Sequence, residues 1–151
     1  MDLVKELPRL LPLAIAWAET TSAEALSRGT SLNESGIAIA RRVGVREPDR
    51  IRVVVLDEIP VPQDPTLRQA AIEAGLLGPR FGGLTLGYAI FLSAGDTRPQ
   101  LLAHEYRHVA QYESFGSIAS FLSTHLPDVA TVGYFNSLLE QDARAFESVV
   151  P

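Results

Sequence analysis

A chain of 151 residues, 46% apolar and 21% charged, has the composition of an ordinary soluble globular protein. That length is enough to bury roughly two-thirds of the surface its unfolded form exposes. A net charge of −5 argues against nucleic acid as a partner, because phosphates demand a basic patch, and the absence of cysteine removes disulfides, thiolate nucleophiles and sulfur-ligated metals.

The longest apolar run, Leu10 to Ala18, is about half of what a membrane span needs. It has the small residues Ala14, Ala16 and Ala18 of a secretory signal. Asp2 and Glu6 beside Lys5 and Arg9 deny it a positive flank, however, so it reads as helix, with the cytoplasm as the default compartment. This first helix is expected over residues 8–30, stopping near Gly29, and a second over Leu32 to Val43, with Asn33 or Ser35 near its start and Gly44 at its end. Ile51 to Leu56 is β-branched and reads as a strand. Pro60, Pro62 and Pro65 mark an irregular connector, and Leu67 to Leu77 a short helix ending at Gly78-Pro79.

Phe81 to Ser93 is a strand or bent hairpin punctuated by Gly82, Gly83 and Gly87, followed by a turn at Gly95-Asp96. Three more helices are expected. They are Arg98 to Ser114, closed by Gly116; Ile118 to His125, stopped before Pro127; and Tyr134 to Val149. No repeat, low-complexity segment or linker divides the chain. It reads as one domain over 1–151, with a helical N-terminal part over 1–50 and a chemistry-bearing region over 80–150. The fold class is α+β, a small mixed sheet against several helices.

The chemistry concentrates in Leu101-Leu102-Ala103-His104-Glu105-Tyr106-Arg107-His108-Val109-Ala110-Gln111, which contains His-Glu-x-x-His. Histidines four apart differ by about 40° around a helix, so both imidazoles lean the same way and can hold one ion. Glu105, offset by one position, falls beside the ion rather than on it, where it can accept a proton from an attacking water. Zinc is the metal this pattern calls for, and it needs a third protein ligand if one position is to stay open.

The longer pattern with a glycine at position 111 and a histidine at position 114 fails, since Gln111 and Ser114 stand there. Glu140, on a later helix and followed one turn on by small Ala143, is the best third ligand; His125, Asp142 and Glu147 stay open as alternatives. His125 reads as a solvated or capping residue at a helix end. Gln111 lies one heptad after His104, where it can support the ligands from behind. Tyr134 could donate to a developing oxyanion or simply pack. Arg107 and Glu113 read as surface charges.

The run His-Glu-Tyr-Arg-His-Val-Ala-Gln-Tyr-Glu, with Gly116 and later Gly133-Tyr134 and Leu139-Glu140-Gln141-Asp142-Ala143, resembles small bacterial gluzincin-like metallopeptidases over roughly residues 80–150. The segment Gly83-Leu84-Thr85-Leu86-Gly87-Tyr88 also resembles the edge strand beside their cleft. The resemblance implies a minimal zincin-like fold, zinc on His104, His108 and Glu140, and Glu105 as general base. The Asn-Glu pair common in larger gluzincins is Leu139-Glu140 here. The expected function is zinc-dependent hydrolysis of a peptide or protein substrate. The alternative is a non-catalytic zinc module that binds a partner protein or peptide, and the oligomeric state stays open.

Overall fold

The computed structural model describes residues 1–76 and 82–150. The positions Leu77 to Pro79 and Phe81 lie outside the described residues, but the helix expected over Leu67 to Leu77 runs instead from Pro65 to Glu73, where Gly75 at φ +78° has already turned the chain. In chain order the elements are α1 (Leu3–Arg28), α2 (Glu34–Arg42), β1 (Arg52–Leu56), α3 (Pro65–Glu73), β2 (Gly83–Leu86), β3 (Ala89–Ser93), α4 (Pro99–Phe115), α5 (Ile118–Val132) and α6 (Leu138–Ala145), with 3₁₀ turns at Pro48–Arg50 and Phe146–Val149. This is an α+β arrangement of six helices and a mixed three-stranded sheet among the described residues.

The sheet order is β1-β3-β2. Strand β3 runs parallel to β1, with Val54 opposite Phe91, and antiparallel to β2, with Leu84 opposite that same Phe91. The β2–β3 hairpin turns through Gly87 and Tyr88. Gly87 has φ +67°, which suits a two-residue loop with glycine at its first central position. Alternation along central β3 divides the core. Ile90 and Leu92 pack with Val43, Ile51, Tyr106 and Val109 beneath α2 and α4. Ala89 and Phe91 pack with Ala18, Ala25 and Phe121 beneath α1 and α5. Burial on both faces explains why β3 reads as a continuous apolar run.

Other helix boundaries also differ from the sequence expectation, and three of them carry a clear cause. Helix α1 starts at Leu3, capped by the Asp2 side chain on the Lys5 amide, and carries Pro8 and Pro12 inside it. Both prolines are exposed, so water can reach the carbonyls they leave unpaired. Helix α5 likewise runs through Pro127 to Val132 instead of stopping at His125. Its buried face of Phe121, Leu122, His125 and Val129 continues past the proline and packs on α1, so tertiary burial outweighs the lost hydrogen bond. Conversely α6 begins only at Leu138. Ser137 is fully buried and its hydroxyl donates to the Tyr134 carbonyl at 2.7 Å, holding 134–137 as a turn, while Asp128 accepts from the Leu138 amide.

Candidate metal centre

Helix α4 starts with Pro99 in its first turn and ends on Gly116 in the left-handed conformation, so the motif occupies its buried middle. His104, Glu105, His108 and Gln111 are all buried. Helix α6 packs against α4 through fully buried Ala143, which brings Glu140 onto the two histidines. The Nε2 atoms of His104 and His108 stand 3.2 Å apart, and the Glu140 carboxylate reaches both, at 3.2 Å and 2.7 Å respectively.

The donor set fits a tetrahedral ion. Two nitrogens each about 2.0–2.1 Å from such an ion stand about 3.3 Å apart, close to the separation seen here. The groups behind the imidazoles also fit. His108 Nδ1 donates to Gln111 Oε1 at 2.7 Å, because the Gln111 nitrogen is committed as donor to the Leu139 carbonyl and to Asp142. His104 Nδ1 donates to Glu147 Oε2 at 3.0 Å. Each ring is thereby held with its Nε2 facing the shared point, so that loss of the Nε2 proton leaves the tautomer a metal ligand requires. His104, His108 and Glu140 form a buried group that could hold a metal ion.

The electrostatics of the metal-free site follow from this crowding. Burial lowers the His108 pKa, but the Glu140 charge in contact with it prevails and raises it to about 9. His104 is raised in the same way, against burial, by its hydrogen bond to Glu140 and the charge of Glu105. Burial works to raise Glu140, yet charged His108 and hydrogen bonds from His104, His108 and Tyr134 hold it well below the usual carboxylate range. Tyr134 is pushed far up, first by burial and then by the Glu140 charge it donates to, so its hydroxyl keeps the proton at neutral pH.

Glu105 is not part of the converging set. Its carboxylate accepts a hydrogen bond from Thr85 Oγ1 at 2.8 Å, which ties it to strand β2. Burial raises its pKa, with His108, His104 and the Thr85 hydroxyl offsetting part of the rise. Gly83, two residues earlier on β2, leaves the room: a Cβ there would meet Glu105 Cγ at 3.0 Å. The sequence placed Gly83 and Thr85 on the edge strand beside the cleft, but their contact with Glu105 emerges only from the strand's register against α4.

His125 is corrected. It is neither solvated nor at a helix end, but 5% exposed in mid-α5, and burial lowers its pKa to about 4. It is no member of the converging group, and its Nδ1 has no hydrogen-bond partner. Glu147 supports His104 from behind rather than joining the donor set, and Asp142 pairs with Arg107 at 2.8 Å while accepting from Gln111. Arg107 and Glu113 are corrected as well. Arg107 bridges Asp142 and the Val43 carbonyl, and Glu113 accepts from the Arg46 and Glu47 amides and the Tyr88 hydroxyl. Both pin the 43–47 loop to α4.

Glu105, His108, Glu140, Tyr134 and His125 all line one cleft, whose remaining wall is mostly apolar and comes from α1, α3, β2 and α5. Among the described residues no helix is long and apolar enough to cross a membrane. No family model matches this chain, and neither the curated proteins nor the solved structures contain a significant match. The site itself therefore carries the functional argument: a buried pair of histidines and a glutamate at the head of a cleft, with a second glutamate held beside them.

Proposed function

We propose that this chain is a small gluzincin-like zinc metallopeptidase, hydrolysing peptide bonds at the cleft formed by α4, α6 and β2. The observation that carries this reading is the division of labour between two buried carboxylates. Glu140 closes a three-donor group with His104 and His108, while Glu105 is held off that group by Thr85 and faces the same cleft. Three protein donors leave a position open, whereas structural zinc sites are closed by four.

A zinc ion held by His104, His108 and Glu140 supplies Lewis acidity, polarising a carbonyl oxygen and acidifying water. Glu105 accepts the proton of the attacking water and returns it to the departing amine. Tyr134 lines the cleft and donates its one proton to Glu140 in the metal-free chain; with Glu140 engaged by the metal, that hydroxyl turns to the oxyanion that develops on the scissile carbonyl. Strand β2 lies at the edge of the sheet and lines the cleft, so an extended substrate can pair with its backbone.

Glu105→Gln tests the reading. The amide is nearly isosteric and should preserve zinc content and melting temperature, but it cannot accept a proton. Cleavage of a peptide library, first scored with wild type, should fall by roughly two to four orders of magnitude. Undiminished cleavage by the variant would reject the role of Glu105. No cleavage by a zinc-loaded wild type across a broad library would favour a non-catalytic zinc module.

A further inference from the structure

Strand β2 borders the cleft, and its backbone shows how far a bound chain can follow it. The Ser93 amide donates to the Gly82 carbonyl at 2.8 Å, and in an antiparallel pair such bonds fall on alternate residues. Leu84 and Leu86 therefore turn their main-chain groups towards β3, while Gly83 and Thr85 turn theirs to the free edge of the sheet. An extended chain laid along this edge would pair first with one of these two residues and then with the other.

The Thr85 half of the edge is already occupied. The Tyr112 hydroxyl donates to the Thr85 carbonyl at 3.2 Å, and its ring stacks on Phe121 with centroids 3.8 Å apart. Thr85, Leu86, Tyr112 and Phe121 are all buried, whereas Gly83 and Leu84 keep part of their surface. The Ser22 hydroxyl donates to the Leu86 carbonyl at 2.8 Å, so α1 covers the strand where the hairpin turns. Past this point the cleft is walled by α1 and α5, helices with no strand edge to offer. A peptide continuing there would bury its amides unpaired, which is unfavourable.

Gly83, by contrast, lies beside the candidate base, since a Cβ on it would stand 3.0 Å from Glu105 Cγ. A bond broken next to Glu105 is thus one pairing position from the closed end of the edge. We propose that Tyr112 closes the groove and that the substrate enters end-first: one residue pairs with Gly83, and no more than about two follow it towards Thr85, a span of about 7 Å. Hydrolysis of one peptide bond by one water then releases a short fragment from a chain end, as an exopeptidase does. This inference rests on the peptidase reading for the reaction, but the closed edge can be probed by binding alone.

A panel of linear peptides is compared with the same sequences joined head to tail, which have no end to insert. Zinc-loaded wild type should release short fragments from one end of the linear forms, read by mass spectrometry, and leave the cyclic forms intact. Binding is read on zinc-loaded Glu105→Gln by hydrogen exchange, where linear peptides should slow exchange of the β2 amides and cyclic ones should not. Tyr112→Ala opens the edge and should lengthen the first fragment released. Tyr112→Phe keeps the stack on Phe121 and frees the Thr85 carbonyl, so it should lengthen that fragment too and serves if the larger truncation does not fold.

Cyclic peptides cut or bound as readily as linear ones would overturn the closed groove and leave the peptidase reading standing. Protection of β2 by linear peptides alone, without cleavage by wild type, would support the closed groove and reject that reading. Unchanged fragment lengths in folded Tyr112 variants would remove Tyr112 from this role. Peptides that are neither bound nor cut in any form would overturn both.

Discussion

Gln111 Oε1 lies 2.7 Å from His108 Nδ1, and the same side-chain amide donates to the Leu139 carbonyl and to Asp142 on α6. One residue therefore orients a metal-facing imidazole and anchors the helix that delivers Glu140. The donor group is assembled by this clamp as much as by the His-Glu-x-x-His pattern itself.

Gln111→Ala should weaken zinc binding by about 10- to 100-fold, the usual effect of losing a group that orients a ligating histidine. Competition against a chromogenic chelator measures it, and circular dichroism checks that the helices persist. Unchanged affinity would mean that the imidazole is oriented without this hydrogen bond.

The donor assignment has its own test in paired variants. His108→Ala and Glu140→Gln should each remove stoichiometric zinc from purified protein, whereas His125→Ala should retain it, because His125 stands outside the converging group. Elemental analysis reads the outcome directly. Zinc lost from His125→Ala but kept by Glu140→Gln would exchange the two assignments.

Much of this site was legible in the sequence because a helix turns local spacing into shared direction. His104, Glu105 and His108 needed only the period of α4, and Glu140 only a following helix with small Ala143 on its packing face. The contacts of Thr85 and Gly83 with Glu105, and the inward position of His125, were not legible. The first two depend on a strand register that no local pattern records, and His125 was misread because Pro127 suggests a helix end two residues later. The same overreliance on local signals placed the start of α1 too late, at Pro8, and the start of the last helix too early, at Tyr134. In each case long-range burial or a side-chain cap decided the boundary.

The metal-free chain should lose stability as pH rises. The His108 pKa stands at about 9 when folded, against about 6.5 unfolded, so its stabilising effect is complete below pH 6.5 and is lost as pH rises through about 9. Glu140 acts with the opposite sign: its depressed pKa contributes above about pH 4.3 and is lost as pH falls through the folded value. The melting temperature in excess chelator should therefore decline between pH 7 and 9, while zinc-loaded protein, with both imidazoles neutral, should vary less. Apparent zinc affinity should climb over the same window as the displaced proton becomes easier to lose. A flat melting temperature for the metal-free chain across that range would contradict a charged His108 against Glu140.

The close approach of β2 to α4 supplies a test of Glu105 that leaves its carboxylate intact. On Gly83 a Cβ would stand 3.0 Å from Glu105 Cγ and 3.1 Å from its Oε2, too near for both to keep their places. The flexible glutamate is the partner that yields, and yielding takes it out of line with Thr85 Oγ1. Gly83→Ala should accordingly keep its zinc, since none of the three donors touches this position. Peptide hydrolysis should drop, by less than the roughly 100-fold expected of a full-ångström displacement, because the carboxylate need give by only a few tenths of an ångström. Thr85→Val, which keeps the space but removes the hydroxyl, should instead shift the acid limb of the pH–rate profile upward, because the lost hydrogen bond had been lowering the Glu105 pKa. Full activity in Gly83→Ala would show that hydrolysis does not depend on where β2 holds Glu105, and loss of zinc would tie Gly83 to the metal donors instead.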